Sequence, residues 1–187
     1  ISDAFSHRVG KWLFLSPVFA KTVKPLRLLP VSVAILLLGA LGSAYANLDS
    51  ALFFYFPYST YSFTGTMALY IFNWIGLFLF AELFTYLLFR RVGNDIQLFT
   101  CTGIAAFPLA VYPYIYLAIP TVFSNFSFAD LGTIMQYVLI ILQIFSLLLI
   151  SAAFCFGKGI RLDKAIVISL TAMYLNIATL FMLGRFT

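Results

Sequence analysis

Charged residues are scarce in this chain. Lysine, arginine, aspartate and glutamate make up 9% of its 187 residues, whereas they make up about 25% of a typical soluble domain. Hydrophobic residues make up 63%, more than the core of a soluble domain can bury, so we exclude a soluble globular protein. Each transmembrane helix needs about 20 apolar residues, and the chain is therefore long enough for five or six spans.

Histidine and cysteine are equally scarce, with one histidine, His7, and two cysteines, Cys101 and Cys155. A single histidine excludes a bis-histidine haem site and argues against a histidine-rich metal centre. The sequence also lacks a glycine-rich phosphate loop, a Gly-x-Ser-x-Gly motif and paired carboxylates at helical spacing. We therefore expect no enzymatic activity, no metal and no cofactor.

Long apolar runs predict five membrane spans, at residues 28–46, 64–89, 97–119, 131–156 and 164–183. Ten of the eleven lysines and arginines lie before span one, after span two or after span four. An odd number of spans places these three groups on one face, and the positive-inside rule assigns that face to the cytoplasm. The sequence predicts an all-α bundle of five transmembrane helices, with the C-terminus on the outer or lumenal side.

The basic N-terminal segment, residues 1–27, is predicted to be cytoplasmic and separate from the membrane domain, residues 28–187. Apolar residues recur in it at helical spacing, at Phe5, Val9, Trp12 and Leu13. This pattern favours a short helix in the headgroup region, and a disordered basic tail is the alternative. The first apolar run ends in Ala44-Tyr45-Ala46, as a cleavable signal peptide does, but its length favours an uncleaved first span.

Glu82 is the one acidic residue inside a predicted span. It precedes Arg90 by eight residues, so it lies about 12 Å from the cytoplasmic end of its helix. Intramembrane ionisable residues are functional candidates by default. The candidate polar site comprises Glu82, Gln143 and Asn176. The partners of Glu82 are expected to be either Thr85 and Tyr86 on the next turn or Gln143 and Asn176 on other spans. Two hypotheses remain open for Glu82: a structural polar tether and a proton or ion relay.

Two features indicate close helix packing. Span three contains prolines, which remove a backbone hydrogen bond and kink a helix. Kinked helices also line substrate sites in transporters, but a role in helix packing is the simpler interpretation. Small residues recur four positions apart and allow helices to approach closely. The candidate packing residues are Gly39, Ser43, Pro108 and Pro113.

The outer connection between spans one and two is rich in aromatic residues, including Phe53, Phe54, Tyr55 and Phe56. Aromatic rings concentrate at the membrane interface, so these residues are expected to contact lipid. An exposed aromatic surface is also suited to binding a partner protein.

Several short motifs occur in the order typical of one membrane family. Span two ends in Arg90-Arg91-Val92-Gly93, span three contains Ala106-Phe107-Pro108-Leu109, and span four ends in Phe156-Gly157-Lys158-Gly159-Ile160. Span five opens with Lys164-Ala165-Ile166-Val167. In this order the chain resembles the Yip1 domain family of five-span membrane proteins, over about residues 28–183. The acidic-aromatic Asp-Leu-Tyr-Gly-Pro segment of eukaryotic members is absent, so the resemblance is closer to prokaryotic members and implies no active site.

These observations predict a non-catalytic integral membrane subunit or scaffold of a larger membrane assembly. Its expected partners are membrane lipids and other membrane protein subunits or further copies of itself, with no nucleic acid. The alternative is a transporter or channel component in which Glu82 relays protons or ions. A membrane enzyme is the third and weakest interpretation.

Overall fold

The computed structural model describes residues 25–51, 54–57, 62–90, 95–122 and 127–183. These ranges contain five helical stretches that are long and apolar enough to cross a membrane, so the predicted all-α, multi-pass bundle is confirmed. The elements are α1 (Pro25–Tyr45), β1 (Leu48–Ala51), β2 (Phe54–Pro57), α2 (Phe63–Phe89), α3 (Asp95–Ala105), α4 (Phe107–Val122), α5 (Phe128–Lys158) and α6 (Leu162–Leu183). Helices α3 and α4 together form the third span.

The helices that form the spans begin and end within three residues of the predicted limits. Serine side chains explain where two of these helices start. Ser62 accepts a hydrogen bond from the backbone N–H of Gly65 at the start of α2, and Ser127 accepts one from Asp130 at the start of α5. Such caps satisfy N–H groups that have no partner within the helix. At the end of α5, Gly159 adopts a left-handed conformation with φ of 64°, which glycine tolerates and which terminates the helix.

The first helix begins at Pro25, so the last three residues of the predicted N-terminal domain belong to the first span. The rest of that domain, including the predicted interfacial helix, lies outside the described residues. The lysines and arginines among the described residues lie at one end of the bundle, which we call the basic end. It contains Arg27, Arg90, Lys158, Arg161 and Lys164.

The five spans pack in a closed ring. Going round it, span one (α1) contacts span three (α3 and α4), span three contacts span four (α5), span four contacts span five (α6), span five contacts span two (α2), and span two returns to span one. Spans two and four are therefore not neighbours in the ring, and a contact between them must be made by long side chains.

Span three is the most enclosed of the five. In its most apolar stretch 61% of residues are buried, against at most 39% in any other span. It is interrupted at Ala106, where α3 ends and α4 begins. Pro108 follows, and because proline has no N–H it cannot donate to the carbonyl of Ile104, four residues earlier. The proline signal in the sequence therefore marks an actual break in the helix.

A short antiparallel hairpin connects spans one and two, where the sequence analysis expected an aromatic loop. Leu48 pairs with Pro57 and Ala51 pairs with Phe54. Three of the four aromatic contact candidates, Phe54, Tyr55 and Phe56, lie in β2, whereas Phe53 lies outside the described residues. Aromatic residues favour strands because they pack well on a pleated surface. An aromatic-rich segment is equally typical of an interfacial loop, so the sequence did not predict the pairing of β1 with β2.

Candidate functional site

A network of three charged side chains lies at the basic end of the bundle. The Nζ atom of Lys158, the last residue of α5, is 2.7 Å from Oε2 of Glu82 on α2. The same Nζ donates to Oδ1 of Asp95, the first residue of α3, at 2.5 Å. We call Glu82, Asp95 and Lys158 the charge triad. It links spans two, three and four, and Lys158 thus bridges two spans that are not neighbours in the ring.

The three side chains of the triad differ in solvent exposure, from fully buried to largely exposed. The Lys158 side chain is only 1% exposed, that of Glu82 is 22% exposed and that of Asp95 is 61% exposed. A buried ammonium group loses its hydration, and this cost is offset only by well-placed opposite charges. Two carboxylates around one ammonium supply that compensation.

Helix termini and a close contact hold the triad in place. Asp95 lies at the N-terminus of α3 and Lys158 at the C-terminus of α5, where the helix dipole favours an acidic and a basic side chain respectively. Next to Lys158, Gly157 packs on Leu98, and a Cβ at position 157 would lie 3.3 Å from Leu98 Cδ1. This glycine lets α5 approach α3 closely enough for Lys158 to reach both carboxylates.

One oxygen of Glu82 has no partner. Oε1 is buried and accepts no hydrogen bond within the described residues, and the same holds for the hydroxyl of Thr85 one turn later. Thr85, a predicted partner of Glu82, therefore does not bind it. Lys158 is the partner instead. No group of three or more histidine, cysteine, aspartate or glutamate residues suited to a metal ion occurs in the described ranges.

Asn176 forms a second buried polar contact at a different depth. Its Nδ2 donates to the backbone carbonyl of Asn73 on α2 at 2.9 Å. Gly76 provides the space, because a Cβ at that position would lie 2.5 Å from Asn176 Oδ1. Asn73 precedes Glu82 by nine residues, or about 14 Å along α2. The structure therefore places Asn176 and Glu82 at separate levels of the interface.

Gln143 is also distant from the charge triad. It is on α5, fifteen residues before Lys158, which corresponds to about 22 Å along the helix. Neither Asn176 nor Gln143 therefore lies beside Glu82, which joins the charge triad instead.

The small residues of α1 face other helices of the same chain. A Cβ at Gly39 would lie 2.2 Å from the hydroxyl of Tyr70 on α2, so the glycine makes room for a buried aromatic ring. The hydroxyl of Ser43 donates to the Gly39 carbonyl at 2.9 Å and is thus satisfied within α1. This face of α1 is buried inside the bundle and is not available to another subunit.

The contact between α1 and α4 uses a further glycine. A Cβ at Gly42 would lie 2.7 Å from the ring of Tyr114 and 3.2 Å from Pro113. Tyr114 also donates its hydroxyl to the Leu38 carbonyl at 2.8 Å. Pro113 and the second predicted packing proline, Pro108, are both buried.

The role of Lys158 as the partner of Glu82 is not predicted from the sequence, where this residue indicates topology and belongs to the motif that ends span four. One signal is nevertheless present, because Lys158 comes two residues after the predicted end of span four at Phe156 and lies between two glycines.

Compared with known proteins, the chain matches no family model, no curated protein and no solved structure.

Proposed function

We propose that this chain is a non-catalytic integral membrane subunit or scaffold. The observation that carries the proposal is the charge triad: Lys158 joins both Glu82 and Asp95, so the intramembrane carboxylate has a structural partner. Removing one member of a buried ion pair leaves an uncompensated charge, so all three residues are needed for stability. The triad therefore acts as a tether that fixes the positions of the helices.

The outer surface of α2 supports association within the bilayer. Large apolar residues recur along it at intervals of three or four residues and remain exposed. They form one stripe, the α2 stripe, which comprises Phe72, Ile75, Leu79, Leu83 and Tyr86. Side chains at this spacing share one helix face, and such a face contacts either lipid or the helix of another subunit.

The experiment is purification of the chain from its native membrane in mild detergent, followed by mass spectrometry with and without Leu79→Trp. We expect stoichiometric protein partners whose recovery drops when the α2 stripe carries the bulky residue. Val167→Trp, at a 57% exposed position of α6 where Thr171 interrupts the apolar face, is the matched control and should leave recovery unchanged. A lone chain or homo-oligomer in every preparation would remove the basis of the proposal.

A transport role is the second candidate, and one observation favours it. Glu82 Oε1 is buried without a hydrogen-bond partner in the described part of the chain, so this carboxylate oxygen is free to accept a proton. Glu82→Gln keeps the shape of the side chain. If Glu82 is a relay, this change abolishes flux in proteoliposomes without lowering expression; if it is a tether, it lowers stability and there is no flux to lose.

We also propose that the basic end faces the cytoplasm and that the chain is a Yip1-like protein of the prokaryotic type. The concentration of lysine and arginine at one end supports the orientation. The order of the short motifs, with Pro108 in the middle of span three, supports the family resemblance. Partner identification tests the family assignment, and chemical labelling from the two sides of the membrane tests the orientation.

A further inference from the structure

Two basic residues, Arg90 and Lys164, lie where α2 ends and α6 begins, at the basic end of the bundle. These two helices pack against each other. The ammonium group of Lys164, in the first turn of α6, lies over the ring of Phe89, with Nζ 4.8 Å from the ring centroid. Phe89 is the last residue of α2, and Arg90 follows it directly. Because a cation is attracted to the face of an aromatic ring, Phe89 keeps the Lys164 ammonium at the end of α2 that carries Arg90.

The backbone of Arg90 adopts a conformation that glycine adopts more easily. Its φ is 49° and its ψ is 31°, in the left-handed region, and its N–H donates to the Tyr86 carbonyl at 2.9 Å. Helix α5 ends in the same conformation, but there the residue is Gly159. An arginine is less favourable than glycine in this region, so helix termination does not explain its presence. Backbone strain of this kind is typical of binding sites.

Neither Arg90 nor Lys164 has a carboxylate partner in the part of the chain that the structure describes. The ion pairs found there are those of the charge triad and the pair between Arg161 and Asp163, whose atoms are 3.3 Å apart. The acidic residue in the first turn of α6 is thus already paired. Arg90 and Lys164, which we call the α2–α6 cations, are both exposed. They therefore present two uncompensated positive charges to an anion.

Apolar surface lies directly beside these cations. Leu87 and Leu88, just before Arg90 on α2, are both more than half exposed. Arg90 follows the end of span two and Lys164 lies in the first turn of span five, so the cations are at the level of the lipid headgroups. A soluble phosphate would contact the cations alone, whereas a phospholipid would contact both the cations and the leucines. Basic pockets between transmembrane helices are suited to anionic headgroups.

We propose that the α2–α6 cations bind the phosphate of an anionic phospholipid, whose acyl chains lie on the apolar surface beside them. Arginine donates paired hydrogen bonds to phosphate oxygens, and lysine contributes a compact positive charge. A zwitterionic phospholipid carries its own positive group, which the two cations repel, so an anionic lipid is the complementary partner. This site is independent of whether the chain serves as a subunit or a transporter.

The test is native mass spectrometry of the full chain in detergent, titrated with phosphatidylglycerol or with phosphatidylcholine of the same acyl chains. We expect tighter binding of phosphatidylglycerol, and Lys164→Gln should weaken it about fivefold, the usual contribution of one basic residue near anionic lipid. Arg27→Gln is the matched control. It removes one positive charge from the same end of the bundle, but its helix, α1, is not a neighbour of α6 in the ring, so the affinity should change less than about twofold. Equal losses in the two variants would overturn the proposal, because they would show attraction to the basic end as a whole.

Arg90→Gly separates lipid binding from folding. Glycine suits the left-handed conformation, so without added lipid this variant should unfold at the same temperature as the unaltered chain or at a higher one. Its affinity for phosphatidylglycerol should nevertheless fall about fivefold. An unchanged affinity would contradict a role for Arg90 in the site.

Competition with inorganic phosphate distinguishes a lipid from a soluble anion. Phosphate lacks the acyl chains that contact Leu87 and Leu88, so a concentration equal to that of phosphatidylglycerol should displace none of the bound lipid. Displacement at equal concentration would show that the cations bind a soluble phosphate, and the assignment to a phospholipid would be wrong.

Discussion

Lys158 Nζ lies 2.7 Å from Glu82 Oε2 and joins two helices that are not neighbours in the ring of spans. The lysine is almost inaccessible, and its second bond, to Asp95, continues the network to the surface. The structure thus places Glu82 in an ion pair, and this arrangement sets the expected response of the protein to changes at either residue.

Lys158→Met should destabilise the folded bundle by about 3 kcal/mol, because it leaves Glu82 partly buried without its counter-charge. The measurement is reversible unfolding in mixed micelles. Arg161→Met is the control: its pair with Asp163 has a 3.3 Å separation and both side chains are more than half exposed, so the expected change is below about 0.5 kcal/mol.

The double variant Glu82→Leu with Lys158→Met tests the same explanation from the other side. Replacing both partners by apolar side chains removes the uncompensated charge, so most of the stability lost in the single variant should return. If the double variant is less stable than Lys158→Met alone, the loss arises from packing around the lysine stem and the electrostatic account is wrong.

Gly39→Ala should lower stability by about 1–3 kcal/mol, the usual cost of overpacking a core. The new Cβ would lie 2.2 Å from the hydroxyl of Tyr70 and 2.5 Å from its ring, and this ring is buried. Gly132→Ala provides the control, since nothing lies within 4 Å of that Cβ, and it should gain up to about 1 kcal/mol from helix propensity. Similar gains in both variants would contradict the packing of α1 on α2.

Gly76 and Asn176 should be energetically coupled. Asn176→Ala removes a hydrogen bond to the Asn73 carbonyl, and such bonds contribute about 0.6 kcal/mol on average in membranes. Gly76→Ala places a methyl group against Asn176 Oδ1, but this clash disappears once Asn176 is alanine. A double-mutant cycle should therefore give a combined loss smaller than the sum of the two single losses; additivity would mean that the side chains do not meet.

The orientation of the bundle can be tested with a maleimide that does not cross membranes, in a background without Cys101 and Cys155. Arg161→Cys lies at the basic end and Val122→Cys lies at the opposite end, and both positions are exposed. With the basic end in the cytoplasm, intact cells should label only Val122→Cys, and inverted vesicles should label only Arg161→Cys. The reverse pattern would invert the proposed topology.

The number of spans and their limits could be read from the sequence because they depend on one-dimensional properties. The length of an apolar run is set by the thickness of the bilayer, and the serine caps and Gly159 act within a few residues of the chain. The break in span three was likewise indicated by Pro108, because a missing N–H disrupts the helix wherever the proline occurs.

The partner of Glu82 was decided only by the tertiary structure. Lys158 is 76 residues away from Glu82 in the sequence, and the order of spans in the ring determines which side chains meet. Hydrophobicity does not specify that order, because lipid tails are as apolar as the helices themselves. Close packing of glycines on particular neighbours sets it, as Gly157 does on Leu98 and Gly39 on Tyr70, and that shape complementarity exists only once the helices are assembled.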